Sequence, residues 1–219
     1  MFNLPSSYLL LNALAGAMLL LSFLIVGRVR LASMLTWFRA QSVLLALYAF
    51  ISAVALSEKQ LLITALLTLV LKAWFVPRLL LRTAKQSGAT ERMPVYLRPT
   101  IAVVLAGALA FLAFTLTRSL LSPLADSYLI VGVSISMLLL GLFLLIVQRG
   151  MYGQMVGFLL MENGIFTFGL ALTGGMPLFV ELGIFFDVVV GSILMAALSY
   201  RVQAVHETVT TDRLRELVD

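Results

Sequence analysis

Apolar residues run along this chain in long unbroken blocks, and the polar residues gather in the short gaps between them. A block of roughly 20 apolar residues is what a helix needs to cross a hydrocarbon core about 30 Å thick. The blocks predict helices over Tyr8–Gly27, Leu31–Leu56, Gln60–Arg82, Pro99–Thr117, Tyr128–Val147, Met151–Thr173 and Leu178–Arg201. The fold class is therefore an all-α, polytopic membrane protein of about seven transmembrane helices. The first block has no Lys or Arg before Arg28 and no small-residue cleavage site, so it reads as a retained helix rather than a signal peptide.

The basic residues orient the bundle. With the N-terminus outside, the inner loops and tail hold Arg28, Arg30, Arg39, Arg78, Arg82, Lys85, Arg92, Arg98, Arg149, Arg201, Arg213 and Arg215, against Lys59 and Arg118 outside. The C-terminus is then expected in the cytoplasm. This distribution accounts for the net charge of +5, so lipid is an expected partner and nucleic acid is not. The longest loop, Thr83–Arg98, divides the chain into an N-terminal three-helix unit with its loop (1–98), a connector helix (99–122), a C-terminal three-helix unit (123–202) and a polar tail (203–219). Arg30 and Arg82 match Arg149 and Arg201 at one constant offset, as a tandem duplication would require.

Composition narrows the chemistry. The chain is 62% hydrophobic and 11% charged, with a mean hydropathy of +1.08, which leaves no room for a separate soluble domain. It has no cysteine and one histidine, His206 in the tail, so the usual ligands of iron–sulfur clusters, haem, zinc and copper are missing. No cofactor is expected in this chain, no metal site, and no catalysis by the chain alone, since neither a nucleophile–base pair nor a ligand cluster is present.

Charges inside a span cost a few kcal/mol each on insertion scales, so each needs a partner, a wet cavity or a neutral form. Glu162 lies about 16 Å into the sixth span, Asp187 about 14 Å into the seventh, and Lys72 at the same depth in the third. Glu181 belongs nearer the outer surface. Desolvation works against the charged form of such groups, which is the condition for a side chain that both takes up and releases protons. The expectation is that Glu162 and Asp187 are protonatable stations, and that Lys72 either pairs with an acid or is itself a switchable carrier. The bland alternative is hydrogen bonding between helices.

Four further features bear on this. Pro77 deprives the third helix of an amide donor beside Lys72, leaving the Ala73 carbonyl without its usual partner. Gly153 and Gly157 form a small-xxx-small pair suited to close helix packing. Asn163 points about 100° away from Glu162, toward packing or a subunit contact. Arg39 is shallow enough to snorkel to the inner side.

The run Gln148-Arg149, Gly157-Phe158-Leu159-Leu160-Met161-Glu162-Asn163-Gly164, then Val180-Glu181-Leu182-Gly183-Ile184 and Asp187 resembles component E of hydrogenase-4, a membrane nickel–iron hydrogenase of the formate hydrogenlyase type. Gln60-Leu61-Leu62-Ile63, Lys72 and Pro77 extend the resemblance through the first half. More distantly, the last three helices resemble the K subunit of respiratory complex I and the C subunit of multisubunit sodium/proton antiporters. There Glu162 takes the place of the first buried glutamate and Asp187 that of the second, although Asp replaces Glu and the intervening loop is shorter.

The resemblance implies a non-catalytic subunit of a bacterial or archaeal cell membrane, set between antiporter-like subunits and the membrane anchor of a hydrogenase arm. The nickel–iron site and iron–sulfur clusters would belong to those partners. The residues alone leave two other readings open: a subunit of a cation/proton antiporter without a redox arm, and a structural scaffold.

Overall fold

The computed structural model describes residues 4–86, 92–121 and 128–173, and all of its regular structure is helical. In chain order the helices are α1 (Leu4–Val26), α2 (Leu31–Leu56), α3 (Lys59–Gln86), α4 (Pro99–Leu120), α5 (Tyr128–Val147) and α6 (Met151–Thr173). Each is long and apolar enough to cross a membrane, giving six such spans among the described residues. The seventh expected span, Leu178–Arg201, lies outside them. The third helix is longer than the hydropathy block implied, and takes in Thr83–Gln86 from what reads as loop.

Local chemistry sets the ends. Ser57 follows α2 in the left-handed region at φ 58°, and its N–H donates to the Ala53 carbonyl, so the chain reverses within two residues to begin α3. Pro99 occupies the first turn of α4, where its missing N–H costs nothing.

The interior is built around α5 and α6, which share the most extensive contact in the bundle, with α1 and α4 packed on α5 and with α2 touching α1, α3 and α6. Gly157 and Gly164 make the α5–α6 contact possible. A Cβ on Gly157 would sit 2.7 Å from the Leu145 amide nitrogen, and one on Gly164 would sit 2.6 Å from that of Leu138. The close approach therefore runs through Gly157 and Gly164 rather than the expected Gly153 and Gly157, because Gly153 faces the Gln148 side chain near the helix start. Outward positions such as Leu20, Val104, Phe111 and Ile146 are large, apolar and exposed, as a lipid-facing surface requires.

The segment from Arg92 to Arg98 is a strap rather than a free loop. Arg92 pairs with Arg30 and Val95 with Gln148 in antiparallel bridges. The Met93 N–H donates to the Val29 carbonyl (2.7 Å), the Tyr96 N–H to that of Val147 (3.0 Å), and the Arg149 N–H to that of Pro94 (3.0 Å). The strap thus joins the α1–α2 turn to the α5–α6 turn at the basic end of the bundle.

Candidate functional site

Two apolar clusters fill the bundle, one toward each end. Near the basic end it comprises residues such as Ile25, Phe38, Leu80, Leu144 and Leu160. Near the other end it comprises Met18, Leu45, Leu61, Met137 and Phe166. Between them, in α1, α2, α3 and α6, the sequence switches to polar side chains that are buried all the same: Ser22, Gln41, Ser42, Thr68, Lys72, Glu162 and Asn163. These form one polar layer about halfway along the spans.

The charged part of the layer joins α3 to α6. Lys72 Nζ lies 2.7 Å from Glu162 Oε1, and both side chains are only 5% exposed. The ammonium also sits 5.2 Å from the centre of the Phe166 ring, one turn further along α6, which adds a cation–π attraction. Because α3 packs on α2, the long Lys72 side chain bridges the remaining gap to α6. Of the two expectations for Lys72, the pairing with an acid is the arrangement observed.

The backbone around Lys72 departs from α-helical bonding. Thr68–Phe75 is a π-helix, closed where the Val76 N–H donates to the Leu71 carbonyl, one residue further back than in an α-helix. Such segments are rare and occur mostly at functional positions. Pro77 follows immediately in the α-helical part of α3. The disturbance that Pro77 suggests thus takes the form of a widened turn centred on the cation. The buried stripe of α3 continues through it, from Leu61, Thr64 and Ala65 to Thr68, Lys72, Val76 and Leu80. Thr64 carries a buried hydroxyl with no hydrogen-bond partner among the described residues.

The neutral part of the layer joins α6 to α2 and α1. Asn163 Nδ2 donates to Gln41 Oε1 (3.3 Å). Gln41 Nε2 donates to Ser22 Oγ (2.7 Å) and to the Met18 carbonyl (3.1 Å). Ser22 Oγ donates to the same carbonyl (2.9 Å). Asn163 therefore makes an intramolecular contact, and the 100° turn from Glu162 aims it at α2 while its neighbour is aimed at α3. The sequence signal for this network was the amide of Gln41 inside an apolar span, which deserves the same scrutiny as a charge.

Asp187 and Glu181 lie outside the described residues. Arg39 is partly buried, with its Nε hidden and unpartnered, and stands within electrostatic range of Arg78, whose guanidinium stacks 4.2 Å from the Trp74 ring centre. Among the described residues no three His, Cys, Asp or Glu side chains come together as a metal site. The arrangement offers an acid and an amine in contact, buried midway through the spans and bordered by hydroxyls and amides. That chemistry can hold a proton and pass it on, or hold two helices together.

No protein-family model matches the chain, and no solved structure does. It is 30% identical to the uncharacterized protein Rv0085 of Mycobacterium tuberculosis over 214 residues, covering 96% of this chain and 97% of the relative. It is 26% identical to hydrogenase-4 component E of Escherichia coli K12 over 211 residues, covering 95% and 97%, and matches the Shigella flexneri protein of that name equally well.

Proposed function

The chain belongs to one family with the uncharacterized protein Rv0085 of Mycobacterium tuberculosis and is related to hydrogenase-4 component E, and from this premise we propose that it is a non-catalytic membrane subunit of a redox-driven, ion-translocating complex. Its part is to carry one link of a proton-transfer axis through the membrane arm, between antiporter-like subunits and the membrane anchor of a hydrogenase-type arm. The basic end, with the strap, faces the cytoplasm in this reading.

One observation carries the proposal: the contact of Lys72 with Glu162 in the middle of two membrane-length helices. A buried ion pair is poor value as a fastener, because desolvating both charges offsets most of their attraction, and well-packed apolar residues often hold helices as firmly or better. Its use lies in what apolar residues cannot do. When a proton reaches Glu162 the pair loses its attraction and Lys72 is released toward the hydroxyls along its own stripe, of which Thr64 lies on the side away from the basic end. The π-helical turn is where α3 has slack for such a movement. Asp187 and Glu181 are the proposed continuation of the axis.

The test uses the complex purified with its native partners and reconstituted in proteoliposomes, where redox turnover and internal acidification are followed together. Glu162→Gln and Lys72→Met are expected to leave redox turnover measurable while proton movement falls about tenfold or more, the range in which a positioned proton-transfer group acts. Unchanged acidification in both variants sinks the proposal. Co-purification of nickel–iron and cluster-bearing proteins supports the hydrogenase setting, and their absence from an active complex points to the antiporter without a redox arm.

A further inference from the structure

We propose that the open face of α2 and α3 docks a transmembrane helix of a partner subunit, and that Arg39 and Arg78 hold a carboxylate on that helix. This rests on the functional reading above only in that the chain has partners within the membrane. It is independent of proton movement and of the polar layer.

The face has two parts. Toward the end away from the strap, α2 and α3 leave an open apolar groove of about 460 Å³ between them. Its walls are Val43, Leu47 and Phe50 on α2 and Leu62, Leu66 and Leu69 on α3, all exposed, and the buried small residues Ala46 and Ala65 form its floor. Large walls over a small-residue floor are the relief into which the side-chain ridge of another helix packs.

Toward the strap the same two helices turn basic. Arg39 lies one turn beyond Val43 on α2, and Trp74 and Arg78 lie two and three turns beyond Leu66 on α3, at four-residue spacing. Counted from Leu31 and from Gln86, both arginines stand about 12 Å inside their helices. They are within electrostatic range of each other, so two like charges share one level of the apolar span. Arg78 does not reach back to the boundary: its guanidinium stacks 4.2 Å from the centre of the Trp74 ring, one turn nearer the middle of the span. Arg39 Nε is hidden and has no hydrogen-bond partner among the described residues. The ion pair among those residues joins Lys72 to Glu162 and leaves both guanidinium groups out.

A carboxylate brought in at this depth answers the arrangement. Charges inside a span are kept by pairing, and guanidinium forks close on a carboxylate through charge-assisted hydrogen bonds. Trp and Arg are also the side chains that most often anchor interfaces. By sequence, neither this chain nor a second copy of it has an acid for the place. Glu58 is in the turn at the far end of the bundle, and Glu162 is taken by Lys72. The expected seventh span has no acid between Asp187 and Arg201, which is about 20 Å of helix at its basic end. Glu91, Asp126 and the acids of the tail belong to polar segments outside the expected spans. A lipid phosphate belongs to the headgroup region, outside the hydrocarbon core that holds both arginines.

Photo-crosslinking in the complex purified with its native partners tests this, with Leu66→p-benzoylphenylalanine as the probe in the groove. The expected product joins α3 to a membrane-spanning peptide of a partner subunit that carries Asp or Glu. Arg39→Gln/Arg78→Gln is expected to lower its yield about tenfold, the scale of one charge-assisted hydrogen bond. Arg39→Lys/Arg78→Lys, which keeps the charges, is expected to hold the yield within about threefold, since an ammonium still pairs but without the fork. Converting the partner's acid to its amide leaves this chain untouched and lowers the yield as the Gln variant does, which keeps the test decisive if that variant fails to fold. A crosslink to lipid alone, to residues 174–219 of this chain or to a second copy overturns the proposal. So does a partner helix without an acid, or a yield indifferent to the arginines. A chain that purifies with no membrane partner overturns both this proposal and the functional reading, whereas a complex that acidifies normally and crosslinks elsewhere overturns this proposal alone.

Discussion

Glu162 and Asn163 are neighbours in sequence, both buried and set at one level, yet they hold the bundle together in different ways. Glu162 meets a cation on a helix whose backbone is widened around that cation. Asn163 meets an amide on α2, and the chain of donors continues to α1 through two helices of ordinary bonding. The neutral side asks little of the backbone, although Asn163 Oδ1 and Ser42 Oγ stay buried without a partner among the described residues. The charged side combines costly desolvation with an unusual helix, and apolar packing would have avoided both. Where two solutions to the same packing problem lie side by side, the dearer one is the better candidate for a role beyond packing.

The comparison can be broken from its charged side first. Glu162→Gln leaves the Lys72 ammonium buried without its counterion, a loss of about 3–5 kcal/mol in similar cases, and it is expected to abolish most proton movement. Thermal unfolding in detergent and proteoliposome acidification measure the two effects. Adding Lys72→Met to Glu162→Gln should restore most of the stability, since a neutral pair replaces an orphaned charge, without restoring proton movement. If the double variant regains both, the charges serve only each other and the two sides of the layer are alike.

A smaller effect reaches both sides at once. Gly164→Val pushes α6 away from the Leu138 backbone, at about 1–3 kcal/mol for overpacking, and displaces Glu162 and Asn163 together. Proton movement should then fall along with stability, in contrast to Gln41→Leu. That change removes the centre of the neutral network at about 1–2 kcal/mol, the upper range for interhelical hydrogen bonds in membranes. It is expected to leave acidification within about twofold of wild type, since the network is not a proton-transfer group. A Gln41→Leu chain that stays folded and stops acidifying would make the neutral side part of the axis.

The smallest effect on stability belongs to Thr64→Val. Its hydroxyl is buried without a partner among the described residues, so its removal should alter stability by less than about 1 kcal/mol, in either direction. A measurable slowing of proton movement with unchanged unfolding temperature would extend the charged side along the α3 stripe toward the end of the bundle away from the strap.

Much of this was legible in the sequence for a plain physical reason. A bilayer imposes one length and one composition on every span, so hydropathy found all six described helices, and it found Lys72 and Glu162 because charge is conspicuous against Leu, Val and Phe. Less legible was anything that depends on how helices face one another. Gly157 works with Gly164 rather than Gly153 because the contact follows the surface of α5, which spacing on α6 alone does not reveal. The π-helical turn left only Pro77 as a trace. The Gln41 network escaped because a single uncharged amide barely lowers the hydropathy of a 26-residue span. The strap was legible only as a polar loop, since its partners lie far away along the chain.

That strap has a consequence for biosynthesis. The acceptor for the Met93 amide, Val29, is already in place when the strap emerges from the ribosome, whereas the acceptor for Tyr96, Val147, has yet to be made. The clasp must therefore close in two stages, its second half waiting for α5 to be threaded into the lipid. Until then the strap holds the α1–α2 turn alone.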